Sequence, residues 1–526
     1  MEEPFLFSFF VLAALYLCVI VHEAGHAFIG RASGFVVTSV GLGTAGPFFV
    51  LPIGRTRLYL GLIQPFQGIT FAFLPRLYPN RRILAAFMSG GIVANAFFAA
   101  GSLSVALCLP TGRPATFFRV SATINALIAT ISLLPVRYRV GGAILRSDGR
   151  LLLEILRTGS FMPPPADVIQ TAQGCRRLWQ AVDDRRMERI YTLSATLSWI
   201  DLGSSTKAES CFSEALAIDA AHPYIDWLEE ITRANLALAK GELTEASDAL
   251  TRAENSGEPA GSEGHDLLAL LRASLLLGEG RQGEALEAFE GLSRDPMDRT
   301  HPEIGMSALV GHLRAACVVG DPATASSLRG RYATARRSYP SDVRDLLAYR
   351  ALARLASSSG ADPRDDYRRA LEAAAALAAP FRDPHDRAAF ADAQKGLIEE
   401  ARQALGAESA GLLIEATVSQ RPDRGFMSEA ESCRRWAIRI LLVNVVAFVP
   451  LILVALALRP RGLPAFLLSL FLAFFTLVGT VWLLLDLAVV RLLPSLKHVS
   501  GAILLVLAVM PWLGGLLSLV FSTIMP

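Results

Sequence analysis

At 526 residues, of which 52% are hydrophobic, the chain is too long for one small domain and too apolar for an ordinary soluble protein. Its net charge of +2 excludes bulk electrostatic attraction to nucleic acid, so we expect no nucleic-acid partner. The apolar residues collect at 4–30, 83–135 and 436–525, whereas 160–430 has the composition of soluble helix, which predicts a membrane protein with one inserted soluble domain.

Six segments are apolar over about the 20 residues that a bilayer core requires. They are 5–29, 83–109, 118–135, 436–458, 464–490 and 500–524. The first has neither the basic start nor the small-residue cleavage site of a signal peptide, so we expect a retained transmembrane helix rather than a cleaved one. Arginines cluster between the first two spans and after the third, which predicts an external N-terminus and a cytoplasmic middle domain.

The first span contains the sequence HEAGH, from His22 to His26. A helix places His22 and His26 on one face, where both imidazoles can bind one Zn²⁺ at about 2.0–2.1 Å. Glu23 can then take a proton from a water activated by the metal. The alternative is that these side chains mark the cytoplasmic end of the helix and reach water. Since a charge inside the membrane costs roughly 2.5–3.5 kcal/mol, the motif favours a functional site.

Two histidines do not complete a catalytic zinc site, because zinc hydrolases use three protein ligands and leave a fourth position open. No later histidine follows the motif at the spacing of soluble zinc proteases. The six cysteines are scattered without a Cys-x-x-Cys pair, which predicts neither a disulfide framework nor a cysteine-based zinc site. The third ligand is therefore expected from the other N-terminal spans.

The stretch 36–75 is apolar but broken by glycines and prolines. Within it, "TRLYLGLI" alternates polar and apolar residues, which favours a strand. An open strand edge cannot face lipid, because its backbone groups would lack partners. We therefore predict a β-ribbon that dips beside the helices or lies at the membrane interface.

Three segments of residues 1–157 together resemble the site-2 proteases, a family of intramembrane zinc metalloproteases. The first is HEAGH, and the second is "SGGIVANAFFA" at 89–99. Asn95 matches the asparagine of the family's Gly-Pro-x-x-Asn segment, although Gly91 stands where proline is usual. The glycine-rich part of 36–75 also looks like the family's membrane-associated β-hairpin.

The third segment is "SLLPVRYRVGGAILRSDGRLLLEIL" at 132–156, which is similar to the family's Asn-x-x-Pro…Asp-Gly segment. Pro135 and Asp148 with its following glycine match, whereas Ser132 replaces the asparagine and the spacer is longer than in the commonest members. By this resemblance Asp148 is the third zinc ligand. The residue-level alternative is that Asp148 or the preceding serine only caps the helix that follows, although both roles can coexist.

The resemblance gives Asn95 a role in positioning substrate or stabilising the oxyanion. Its alternative is a polar contact between helices, as the small residues beside it in the second span suggest.

The middle domain contains an internal repeat. Glycines recur at intervals of 38 to 40 residues, at Gly203, Gly241, Gly280, Gly320 and Gly360. Five residues after the first four stand alanines, at Ala208, Ala246, Ala285 and Ala325. This spacing predicts helix pairs in which the glycine ends one helix and the alanine lets the next pack closely. The fifth unit has Asp365 at the alanine position, so we expect it to be degenerate.

The repeat resembles the tetratricopeptide repeat, although that repeat has a shorter period of about 34 residues. The alternative is a generic all-α domain with chance glycine spacing. In either case, a stack of helix pairs offers a surface for a protein partner.

The predicted fold class is an all-α polytopic membrane protein of about six transmembrane helices, with a small membrane-associated β-ribbon and a soluble α-helical repeat domain. The predicted domains are a metalloprotease core at 1–157, a cytoplasmic repeat domain at 158–430 and a three-helix transmembrane domain at 431–526.

The resemblance implies a zinc-dependent endopeptidase that cleaves transmembrane segments of membrane proteins, in regulated intramembrane proteolysis of signalling proteins. Its residues would be Glu23 and Asn95 for catalysis and His22, His26 and Asp148 for Zn²⁺. Expected partners are a transmembrane substrate, the lipid bilayer of a bacterial inner membrane and a protein that binds the repeats. Two rivals remain open: a non-catalytic scaffold with a vestigial core, and a transporter or metal sensor that uses zinc without hydrolysis.

Overall fold

Three long apolar helices form the N-terminal part of the fold: α1 (Glu2–Ala32), α2 (Arg81–Cys108) and α3 (Arg113–Ser132). All three are long and apolar enough to cross a membrane, as predicted for the first three spans. The computed structural model describes residues 2–63, 67–75, 81–134, 137–140, 143–158, 164–256, 262–294, 302–381 and 383–406. The predicted spans at 436–458, 464–490 and 500–524, and with them the domain 431–526, lie outside these residues.

Helices α1 and α2 meet at two glycines, Gly25 and Gly90. A Cβ atom on Gly25 would collide with the backbone oxygen of Gly90, and one on Gly90 would lie 2.8 Å from the backbone oxygen of Gly25. Small residues at such a crossing let membrane helices gain van der Waals contact along their backbones. The crossing brings α2 directly beside the histidines of α1.

Residues 36–63 and 68–73 form a four-stranded sheet rather than a simple ribbon. Its strands are β1 (Val36–Leu42), β2 (Ala45–Ile53), β3 (Thr56–Ile63) and β4 (Gly68–Phe73), in the order β2-β3-β1-β4. Strand β1 runs parallel to β3, while the other two pairs are antiparallel. The parallel pair arises where the chain crosses the end of β3: Gly43 has φ +81°, and a Cβ atom there would collide with Gly61. The sequence predicted the strand at 56–63 but not this crossover.

The hairpin of β2 and β3 carries an apolar outer face. Its side chains alternate with inward-facing Phe48 and Val50, as strand geometry requires. Six large apolar side chains on this face are exposed: Phe49, Leu51, Ile53, Leu58, Leu60 and Leu62. Such a face, on a sheet that adjoins apolar helices, has the surface chemistry expected of the predicted membrane-associated ribbon.

A second, two-stranded ribbon of β5 (Arg137–Val140) and β6 (Ala143–Arg146) leads into α4 (Asp148–Thr158). The sequence analysis assigned no structure to this ribbon, although the Gly-Gly dipeptide at 141–142 is a typical hairpin signal. The ribbon occupies most of the long spacer that precedes Asp148.

The rest of the described chain is helical. Its helices are α5 (Pro165–Ala181), α6 (Arg185–Asp201), α7 (Ser205–Leu216), α8 (Pro223–Lys240), α9 (Leu243–Asn255), α10 (Ser262–Gly278), α11 (Gln282–Ser293), α12 (Pro302–Val319), α13 (Pro322–Ala335), α14 (Asp342–Ser359), α15 (Arg364–Ala378), α16 (Pro384–Ala393) and α17 (Lys395–Leu405).

The predicted helix pairs are confirmed in α6 to α15. The five recurring glycines follow α6, α8, α10, α12 and α14 with φ between +76° and +81°, the left-handed conformation that ends helices. The four alanines are the fourth residues of α7, α9, α11 and α13, and each is at most 1% exposed. Helix packing therefore follows the period read from the sequence.

The fifth pair differs because its turn is longer. Helix α15 begins four residues after Gly360, whereas α7 begins two residues after Gly203. The buried fourth position is consequently Tyr367, which is 4% exposed, and Asp365 faces solvent. The unit is therefore shifted by two residues rather than degenerate.

The sheet and the helical domain share one hydrophobic core. Ile69, Phe71 and Phe73 of β4 belong to the same buried cluster as α5, α6 and α8. The ring of Phe71 lies 5.7 Å from that of Trp179, and Phe73 stacks on Tyr224 at 5.8 Å. The predicted boundary between 1–157 and 158–430 falls between α4 and α5, but the core extends across it.

Polar contacts join the same two layers. The hydroxyl of Ser39 donates to Oδ2 of Asp184 at 2.6 Å, and both residues are buried. Asp184 also caps α6 by accepting from the backbone N–H of Met187 at 3.2 Å. Arg57 forms a further ion pair with Asp183 at 2.7 Å. The helical domain is therefore held against the sheet by both packing and hydrogen bonds.

Candidate metal centre

His22 and His26 lie one turn apart on α1 and face the same side. Their Nε2 atoms are 3.3 Å apart, and their rings meet edge to face. Their side chains are 12% and 7% exposed. The predicted placement of both imidazoles on one face of a helix is therefore observed.

Asp148, the first residue of α4, completes the group. Its Oδ2 lies 2.9 Å from Nε2 of His22 and 3.2 Å from Nε2 of His26. The three ligand-type atoms lie within 4.8 Å of one another. Within the described ranges, no other group of three histidine, cysteine or acidic side chains comes this close.

The neighbours of Asp148 explain how its carboxylate reaches α1. Ser147 caps α4, because its hydroxyl oxygen accepts from the backbone N–H of Arg150 at 3.3 Å, and it also donates to the carbonyl of Leu134 at 2.6 Å. A Cβ atom on Gly149 would collide with the backbone of Leu133. Ser147 therefore caps the helix, and Gly149 allows the close approach to the backbone of Leu133. Asp148, between them, faces the histidines.

The carboxyl group of Asp148 is in the ionised form, which binding to a metal requires. Burial alone would raise the pKa of Asp148, but hydrogen bonds with His22 and His26 outweigh it and hold this pKa below its ordinary value. The carboxyl group therefore remains a carboxylate near neutral pH. Metal affinity depends on such deprotonated ligands.

The outer nitrogen of each histidine is also engaged. Nδ1 of His26 lies 2.8 Å from the carbonyl oxygen of Phe87, to which it donates. That bond keeps a proton on Nδ1, so Nε2 is the ligand atom once it gives up its own hydrogen bond to Asp148. Nδ1 of His22 lies 3.2 Å from the amide of Asn95, which is fully buried in α2. Asn95 therefore contacts a histidine directly, a position that suits orientation of the ring.

This donor set fits a zinc ion. Ligand atoms about 2.0–2.1 Å from a tetrahedral zinc lie roughly 3.3 Å apart, close to the 2.9–3.3 Å separations here. Oδ1 of Asn95 is buried and has no hydrogen-bond partner among the described residues. Turning the amide by 180° lets Oδ1 accept from Nδ1–H of His22, the tautomer needed when Nε2 binds a metal. The turn leaves the amide NH₂ group as the donor without a described partner.

Glu23, next to His22 in α1, contacts strand β4. Its side chain is buried, and Oε2 accepts a hydrogen bond from the hydroxyl of Thr70 at 2.7 Å. A Cβ atom on Gly68 would lie 2.5 Å from Oε1 of Glu23. The carboxylate therefore rests against β4 at two positions.

Gly91 lies against the open side of the histidine pair. A Cβ atom there would lie 2.6 Å from Nε2 of both His22 and His26. Glycine is thus the residue that leaves space at the ligand atoms, in the position where the resembled family usually has proline.

The structure brings all five predicted site residues into one region, and it adds three that the sequence analysis did not single out. Thr70 and Gly68 lie in the predicted ribbon, but nothing in a single sequence shows which of its residues face α1. Phe87 acts through its backbone oxygen, which leaves no side-chain signal. If the strand at 68–73 were known to lie beside HEAGH, alternation along the strand would place Gly68 and Thr70 on the same face.

No model of a known protein family matches the chain. No curated protein sequence is similar to it either.

Proposed function

We propose that this chain is a zinc-dependent intramembrane endopeptidase that cleaves transmembrane segments of other membrane proteins. The observation that carries the proposal is that His22, Glu23 and His26 lie on a helix apolar enough to span a membrane, where Asp148 of α4 meets the two histidines. Ionisable groups in such a helix are costly and mark functional sites by default.

The chemistry follows from the ligands and the base. His22, His26 and Asp148 would hold the metal through two nitrogens and one oxygen. Bound zinc supplies Lewis acidity, which polarises the scissile carbonyl and makes water acidic enough to lose a proton near pH 7. Glu23 takes that proton and delivers it to the leaving amine. The NH₂ group of Asn95 is a candidate donor to the carbonyl oxygen as charge develops on it.

The position of β4 suggests how a substrate is presented. A helical substrate must unwind, since its peptide bonds are shielded by their own hydrogen bonds. Among the described strands, β4 pairs with β1 on one side only. Because Thr70 on this strand contacts Glu23, an extended segment that pairs with the free edge of β4 would pass next to the base.

The remaining parts fit a multi-pass protein of a bacterial inner membrane. The three apolar helices and the exposed apolar face of the β2–β3 hairpin support contact with lipid. The arginine distribution supports a cytoplasmic helical domain. We assign to its helix pairs the recruitment of a protein partner, in regulated proteolysis of membrane-bound signalling proteins such as anti-sigma factors.

The test combines metal analysis with cleavage of co-expressed single-span proteins. Asp148→Ala is expected to lose zinc and cleavage, whereas Glu23→Gln is expected to keep zinc and lose cleavage. The controls are Asp248→Ala and Glu245→Gln, which change exposed acids of α9. Full zinc occupancy and activity in Asp148→Ala would show that the ligand assignment is wrong.

The same experiment separates the two rivals. Zinc binding by the wild type, without cleavage of any co-expressed protein, would favour a metal sensor or transporter. A biological function that survives Glu23→Gln would favour a scaffold.

A further inference from the structure

Strand β4 has two faces with different neighbours. Because side chains alternate along a strand, Gly68 and Thr70 face helix α1. Ile69, Phe71 and Phe73 face the other way and are buried in the core shared with the helical domain. One face of the strand is therefore held by packing against the helical domain, and the opposite face contacts Glu23.

The contact between Thr70 and Glu23 is specific. The hydroxyl oxygen of Thr70 lies 2.7 Å from carboxylate Oε2 and 3.1 Å from the backbone oxygen of the same residue. A hydroxyl has one proton, and the shorter contact to a charged acceptor is the stronger one. The proton therefore goes to Oε2, which leaves Oε1 with its lone pairs free.

Gly68 shapes the place of that second oxygen. A Cβ atom on Gly68 would lie 2.5 Å from both Cγ and Oε1 of Glu23 and 2.7 Å from Val19. The strand therefore approaches the carboxylate closely because this position has no side chain. One neighbour of Glu23 donates a hydrogen bond and the other provides space.

We propose that Thr70 is a positioning residue for Glu23, and this inference rests on the proposed peptidase function. By binding Oε2, Thr70 selects one orientation of the carboxylate and leaves Oε1 as the oxygen that accepts and returns the proton. A general base must lie within about 2.6–3.2 Å of the atom whose proton it takes. A shift of about 1 Å can cost on the order of 100-fold in rate. Packing of Phe71 and Phe73 against the helical domain holds strand β4 in place, and thereby keeps the hydroxyl of Thr70 within hydrogen-bond distance of Oε2 of Glu23.

The kinetic test compares Thr70→Val, which keeps the shape but lacks the hydroxyl, with Thr70→Ser, which keeps the hydroxyl. The probe is the single-span protein whose cleavage distinguishes the wild type from Glu23→Gln. We expect Thr70→Val to lower kcat about 10- to 100-fold, with KM and zinc content unchanged. Thr70→Ser should restore most of kcat. The control is Thr334→Val, at an exposed threonine of α13, and it should match the wild type.

The outcomes separate this proposal from the proposed function. Wild-type kcat in Thr70→Val, with Glu23→Gln inactive, overturns the role of Thr70 and leaves the peptidase intact. A wild type that binds zinc but cleaves no substrate overturns both.

A second measurement does not depend on catalysis. In thermal unfolding, Thr70→Val should lower Tm more in the wild-type background than beside Glu23→Leu, because there the hydroxyl keeps only its longer contact to the backbone oxygen of residue 23. Equal effects in the two backgrounds would show that the two side chains do not interact, and would overturn the proposal.

Discussion

The amide of Asn95 contacts a histidine of the candidate metal centre without belonging to the ligand-type group. It lies 3.2 Å from Nδ1 of His22 and 3.5 Å from Sγ of Cys18, and it is completely buried. A histidine that binds a metal through Nε2 needs an acceptor for its Nδ1–H, and loss of such an acceptor typically weakens metal binding 10- to 100-fold. The family resemblance implies that Asn95 acts on substrate, and the geometry suggests this second role.

We therefore expect Asn95→Leu to weaken zinc affinity by about 10- to 100-fold. Asn95→Asp should weaken it less, because the carboxylate keeps an acceptor for His22. Competition with a chelator of known affinity measures both. Asn125→Leu, at another fully buried amide of the membrane helices, should leave zinc affinity unchanged. Equal weakening by the leucine changes at 95 and 125 would indicate a general packing defect.

Gly91 provides a test of the space at the ligand atoms. Gly91→Ala places a methyl group 2.6 Å from Nε2 of His22 and of His26, so we expect loss of bound zinc and of cleavage. Gly101→Ala lies in the same helix with no atom near its new methyl group, and it should keep both. Metal analysis of the two purified variants decides, and equal zinc contents would show that the open side lies elsewhere.

At the scale of single residues, the sequence predicted the residues of the candidate site better than the residues that contact and orient them. His22, Glu23 and His26 could be assigned because helical periodicity alone places them. Asp148 required the family resemblance, since 122 residues separate it from His26. Thr70, Gly68 and Phe87 could not be predicted, because their roles depend on how separate elements pack.

At the scale of helices and strands, local sequence patterns predicted correctly those elements that pack against their neighbours in the chain. The glycine and alanine offsets predicted α6 to α13 correctly, because a left-handed helix end and a close helix contact each require one residue type. The sheet was predicted only as a ribbon. Its β1–β3 parallel pair joins strands through a crossover at Gly43, and no local pattern in β1 or β3 specifies that pairing.

A matched pair of glycines tests the helix-end argument. Gly280 has φ +77°, whereas Gly283 lies within α11, and a methyl group on either would meet no other atom. Gly280→Ala should lower the free energy of unfolding by about 1 kcal/mol because of its left-handed backbone. Gly283→Ala should raise it by about 0.5–1 kcal/mol through helix propensity. Chemical unfolding checks both, and changes of the same sign would contradict the argument.

On the scale of the whole molecule, the shared core joins the sheet beside the candidate metal centre and the helical domain into one folding unit over the described residues. Aromatic side chains of β4 are buried against α5 and α8. Phe73 is 7% exposed and stacks on Tyr224, whereas Phe49 of the same sheet is 71% exposed. Phe73 therefore represents the shared core, whereas Phe49 represents the exposed surface of the sheet.

We expect Phe73→Ala to destabilise the protein by about 3–5 kcal/mol, as for other buried phenylalanines. Phe49→Ala should change the unfolding free energy in detergent by less than about 0.5 kcal/mol. Thermal unfolding followed by tryptophan fluorescence measures both, since Trp179 and Trp227 report on this region. If Phe73→Ala unfolds like the wild type, the sheet and the helical domain do not share a core.

The alternation along β4 has a consequence for mutational scanning of residues 68–73. Changes at Ile69, Phe71 and Phe73 remove core contacts, so they should lower cellular abundance, and activity should fall with it. A change at Thr70 leaves that core intact and removes one hydrogen bond, so it should lower activity per molecule more than it lowers abundance. A scan that measures abundance and activity separately should therefore distinguish Thr70 from Ile69 and Phe71, its neighbours in the strand.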